Sequence, residues 1–106
     1  MPKFLIQASY SAEGARGLIE EGASARRKVI QQAVKSVGGK IESVYWAFGD
    51  VDTYLIVDFP DAVTAAGFSL SIASTGAVQL STTLLLSAED VDKARQKKVN
   101  YRPPGG

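Results

Sequence analysis

From Lys3 to Tyr10 the chain alternates Phe4, Ile6 and Ala8 with Leu5, Gln7 and Ser9. A period of two puts successive side chains on opposite faces of a strand, so residues 3 to 10 are predicted as the first strand. Ser11 can cap a helix with Glu13 in its first turn, but Gly14, Gly17 and Gly22 each lower helix propensity by up to about 1 kcal/mol relative to Ala. A short or broken turn up to Glu21 is expected. Ser24 offers a second cap, and Ile30, Ala33, Val34 and Val37 then recur at helical spacing until Gly38-Gly39 stops the helix, predicting a helix over 24 to 37. Residues 40 to 48 and 51 to 59 alternate again and flank Gly49-Asp50, a pair suited to a two-residue hairpin turn. Pro60 ends that strand, Asp61 can cap a helix over 62 to 74 with a thin apolar face, and residues 77 to 86 alternate as a last strand. Ser87 caps a charged helix over 88 to 98, before a Pro/Gly-rich tail.

The order β, α, β, β, α, β matches the split βαβ arrangement, in which right-handed crossovers place both helices on one face of a four-stranded antiparallel sheet. The expected fold is therefore α+β and ferredoxin-like: one domain over 1 to 99 with a tail over 100 to 106. A two-residue turn pairing Phe48 with Val51 sets Trp46 opposite Thr53 and Val44 opposite Leu55 on the helix-covered face. It sets Ala47 opposite Asp52, Tyr45 opposite Tyr54 and Ser43 opposite Ile56 on the other. Gln7, Ser9, Ser81 and Thr83 join that second face. Trp46, Phe48 and Phe59 read as core aromatics.

Composition narrows the chemistry. The 106 residues contain neither Cys nor His, which removes disulfides, thiolate or imidazole metal sites, thiol nucleophiles and the Ser-His-Asp triad. Twelve basic against eleven acidic residues leave a net charge of +1, too little to draw nucleic acid or an anionic membrane. No apolar run approaches the ~20 residues of a transmembrane helix, and no leader pattern opens the chain. A cytoplasmic location, no cofactor, and no nucleic-acid or membrane partner are expected.

Three stretches carry a family pattern: Gly38-Gly39-Lys40, then Tyr45-Trp46-Ala47-Phe48-Gly49-Asp50-Val51-Asp52, then Phe59-Pro60-Asp61. With Tyr10, Gly14, Gly22, Arg27, Gly76 and Thr82-Thr83, they resemble the GYD-domain family over nearly the whole chain. Its hallmark of glycine, one variable residue, then Tyr-Asp reads here Gly49-Asp50-Val51-Asp52, with Val51 in the place of the tyrosine. The resemblance implies the ferredoxin-like fold, often as a dimeric α/β barrel in which two sheets meet face to face. It implies no particular reaction.

One layer of helices leaves the second sheet face bare, with Leu5, Tyr45, Tyr54, Ile56 and Leu85 on it, and contiguous apolar patches of this kind mark interfaces. The leading expectation is a homo-oligomeric domain that binds a small ligand, or its own copy, through this face, with Asp52, Tyr45, Tyr54, Gln7, Ser9, Ser81 and Thr83 as ligand-contacting groups. The rival is a cofactor-independent enzyme of the α/β-barrel monooxygenase or isomerase kind, using Asp52 with Tyr45 or Tyr54. The plainer reading of Asp52 is a carboxylate bonded to backbone amides near a turn. Arg26-Arg27-Lys28 suggests either an anion site or a solvated helix face, and a run of one charge is more often the latter.

Overall fold

In the computed structural model, which describes residues 1–106, the chain forms β1 (Lys3–Tyr10), α1 (Ala12–Glu21), α2 (Ala23–Ser36), β2 (Lys40–Trp46), β3 (Thr53–Asp58), α3 (Ala62–Ala73), β4 (Val78–Leu85) and α4 (Ala88–Ala94). The strands make one antiparallel sheet in the order β2-β3-β1-β4, with β1 paired to both β3 and β4. Each crossover therefore passes over one strand: α1 and α2 carry the chain from β1 past β3 to β2, and α3 carries it from β3 past β1 to β4. This is the ferredoxin-like arrangement that the alternation predicts.

The core forms where the two crossovers meet the sheet. Phe4, Ile6, Leu55 and Val57 from the sheet pack with Phe59, with Val34 of α2, and with Ala65 and Phe68 of α3. Phe59 is the hub, its ring 5.9 Å from that of Phe4 and 5.2 Å from that of Phe68, both tilted. Tilted rings at these separations use the aromatic quadrupole favourably and add to the burial energy.

Helix α1 runs unbroken for ten residues, where the glycines suggested a short or broken turn. Two local features offset the propensity cost. The Ser11 side chain accepts a hydrogen bond from Gly14 N–H at 3.1 Å, while Gly14 sits so close to the Ala77 carbonyl that a β-carbon there would collide with it. The break falls at Gly22 instead, whose φ of 87° lies in the left-handed region open to glycine. Gly22 is also the N-cap of α2, so Ser24 lies inside the helix and caps nothing.

The β2–β3 connection is wider than the predicted two-residue turn. β2 stops at Trp46 and β3 starts at Thr53, and Ala47 N–H donates to the Asp52 carbonyl at 3.0 Å. Phe48 has a φ of 57°, which turns it out of the strand alternation and leaves the residue 62% exposed, so it is not a core aromatic. The expected register nevertheless holds: Trp46 faces Thr53, Tyr45 faces Tyr54, Val44 faces Leu55 and Ser43 faces Ile56. Beyond Ser43 a bulge at Glu42 shifts the pairing, so that Ile41 meets Val57 and packs against the core.

Helix α4 is shorter than expected and starts with a capping box, Ser87 Oγ accepting from Asp90 N–H and the Asp90 carboxylate accepting from Ser87 N–H. It buries nothing, and every residue from 86 to 106 is exposed. The radius of gyration, 16.9 Å, exceeds the ~13 Å expected for a globular chain of this length, because this C-terminal arm stretches the long axis to 56 Å.

Candidate functional site

Every buried strand residue points to the helix side: Phe4, Ile6, Ala8, Thr53, Leu55 and Val57. Their neighbours in the alternation form the opposite face, and none of those is buried. Pairing arranges that face into rungs. Tyr45, Tyr54, Gln7 and Ser81 lie side by side across β2, β3, β1 and β4, and Ser43, Ile56, Leu5 and Thr83 form the next rung. Ser9, opposite Gln79, flanks the first. Six of the seven sequence-predicted site residues are thus brought together, with β-carbons of paired residues about 4.5–5.5 Å apart.

The third rung, Lys40, Asp58 and Lys3 across β2, β3 and β1, is ionic and is joined by Glu42 from the bulge. Lys3 Nζ lies 3.0 Å from Asp58 Oδ1 and 3.2 Å from Glu42 Oε2, joining β1, β3 and β2. The hydrogen bond to Asp58 first, then that to Glu42, raises the lysine pKa above its ordinary 10.5. The Glu42 bulge brings this acid within reach of Lys3; alternation alone does not reveal the bulge.

Asp52 plays a different part from the other six. Its Oδ2 accepts a hydrogen bond from the Tyr10 backbone N–H at 2.8 Å, and its own N–H donates to the Ala8 carbonyl at 2.9 Å. The carboxylate thus holds the end of β1 against the start of β3. The amide it bonds is 42 positions away, not in its own turn.

Sequence reasoning missed a polar cluster on the covered side. The Tyr10 phenol oxygen accepts from Trp46 Nε1 at 3.1 Å and from Thr53 Oγ1 at 3.3 Å. The signal was present: Tyr10 continues the inward parity of Phe4, Ile6 and Ala8, and Thr53 starts the inward series of Leu55 and Val57. A hydroxyl on each of two adjacent apolar stripes calls for a mutual partner.

A single antiparallel sheet in this strand order, helices on one side and an apolar-centred face on the other, defines a ferredoxin-like α+β domain. The GYD domain model matches residues 4–94, and the chain belongs to that family. It is also similar to a Thermus thermophilus protein named glutamine synthetase and cystathionine beta-lyase binding protein, with 26% identity over 91 residues, covering 86% of this chain and 95% of that one. No solved structure shows significant similarity to it. No helix is long and apolar enough to cross a membrane.

Proposed function

We propose that this domain is a protein-interaction module whose contact surface is the uncovered sheet face, and that the occupant of that face is a second copy of the chain. The observation that carries the reading is the rung of Tyr45, Tyr54 and Gln7 lying beside that of Ile56 and Leu5, an apolar centre on a sheet side with no buried residue. A lone globular domain gains by covering such a surface. The face is also suited to its own copy. It carries two cations, Lys3 and Lys40, and the anion Asp58 in one rung, with a second anion, Glu42, on the adjoining bulge, so a two-fold axis can set unlike charges opposite each other.

Size supports a contribution from the arm. Four strands of about seven residues, spaced ~4.8 Å with a rise of ~3.3 Å, project roughly 450 Å². A stable interface takes about 800 Å² per partner. The exposed Leu86, Val91, Val99 and Tyr101 of the C-terminal arm supply further apolar surface within reach of a neighbour. Between two such faces, Gln7, Ser9, Ser81 and Thr83, with Asp52 at the edge, would be the hydrogen-bonding groups open to a small ligand. The name of the Thermus relative, a protein that binds other proteins, agrees with an interaction role.

The absence of cysteine makes the test clean, since one introduced thiol reports one position. In Gln7→Cys the thiol should react with a maleimide more slowly as protein concentration rises, while an exposed control on α2, Gln32→Cys, should react at a constant rate. A Gln7→Cys rate independent of concentration would contradict the reading.

A further inference from the structure

On the covered side of the sheet a cavity of about 110 Å³ opens between α2 and α3. Ala8 and Leu55 line it from the sheet, Ile30 and Ala33 from α2, and Phe68 and Ile72 from α3. Nine of its twelve lining residues carry no polar side-chain atom, which favours an apolar occupant over a chain of waters. A dry cavity of ~150 Å³ holds a whole benzene ring, so this one, at about 110 Å³ and open at one side, encloses a short branched chain or part of a single small ring.

Three polar groups line the same space: Tyr10, Thr53 and Arg26. Thr53 is 2% exposed and is the one buried polar residue in the chain. Its hydroxyl bonds to the Tyr10 oxygen, which also accepts from the Trp46 indole. The two hydroxyls own two protons and spend one on each other. The other finds no acceptor in the chain and remains to be donated. Arg26 is the only charged lining residue, and its contact with Glu21 is a loose 3.6 Å. An apolar body, an unspent hydroxyl proton and a guanidinium together match one chemical class.

We propose that this cavity binds a small carboxylic acid with an apolar body, such as a monocyclic aromatic or short branched-chain carboxylate. The body lies against Ala33, Leu55 and Phe68, and the carboxylate accepts from the Tyr10–Thr53 pair and from Arg26. This site lies on the opposite side of the sheet from the proposed interaction face and stands or falls separately from it.

Trp46 is the only tryptophan, and its indole N–H bonds to Tyr10, so its single indole NMR resonance reports on the site. The chain is titrated with benzoate and isovalerate, with benzyl alcohol as the uncharged analogue. A saturable shift of that resonance by either acid is expected, with affinity about tenfold weaker in Arg26→Gln and for benzyl alcohol, a loss of about 1.4 kcal/mol. Ala33→Leu, which extends a half-buried side chain of α2 into the cavity, should abolish the shift while retaining the wild-type melting temperature and circular dichroism. No saturation with either acid, undiminished binding in Arg26→Gln or folded Ala33→Leu, or equal binding of benzyl alcohol would overturn the proposal.

Discussion

The indole of Trp46 on β2 donates to the phenol oxygen of Tyr10 on β1, reaching past β3, which contributes the Thr53 hydroxyl to the same oxygen. One side chain at the end of the central strand thus ties three strands together at the edge of the core. Removing that oxygen strands two donors, one of them on the buried Thr53. Tyr10→Phe is therefore expected to cost about 1–3 kcal/mol in urea unfolding and to shift the Trp46 indole resonance. A stability equal to wild type would show that the network contributes nothing.

Glycine substitutions should split by local space. A β-carbon on Gly39 would lie 2.8 Å from the Asp58 carbonyl oxygen, 2.8 Å from Val34 Cγ1 and 2.9 Å from Phe59 Cδ1, against backbone and the core hub. Gly39→Ala should destabilise by about 1–3 kcal/mol. Gly67, inside α3, has nothing within 4 Å of the same position, and Gly67→Ala should stabilise by up to about 1 kcal/mol through helix propensity. Denaturant midpoints of the two variants moving in the same direction would refute this contrast.

Two exposed charges set the edges of the pH profile. The Asp61 carboxylate accepts from Thr64 N–H at 2.7 Å as the N-cap of α3, and that bond lowers its pKa below the ordinary 3.8. Its contribution is present above pH 3.8 and is lost as pH falls through the lowered value. Lys3, raised above 10.5 by Asp58 and Glu42, behaves oppositely: its contribution is complete below pH 10.5 and is lost as pH rises through the raised value. The melting-temperature advantage of wild type over Asp61→Asn should close below pH 3.8, and that over Lys3→Met should close only above pH 10.5. An Asp61→Asn difference that persists unchanged into acid would rule out the cap as its source.

The sheet was legible because its code is local. Alternation over Phe4, Ile6 and Ala8, and over Leu55 and Val57, fixes which face is buried, and the glycine-aspartate pair fixes the register well enough that Tyr45 meets Tyr54 as expected. Long-range geometry was not legible. Nothing in the neighbourhood of Gly14 announces the Ala77 carbonyl against it, nothing near Phe48 announces its left-handed backbone, and Glu42 becomes a bulge only when Lys3 and Ile41 have their partners. At the site, parity grouped Gln7, Tyr45, Tyr54 and Ser81 correctly. The bond from the Tyr10 amide to Asp52 depends on where two distant strand ends meet, which no single segment encodes.

The most direct test of the central claim is the mass of the protein in solution, by light scattering during size-exclusion chromatography, for wild type, Tyr54→Lys and Ile56→Lys. The account predicts a wild-type dimer or larger assembly that falls to 11.3 kDa monomers in both variants while their circular dichroism stays native. A wild-type monomer, or folded variants that keep the wild-type mass, would contradict it.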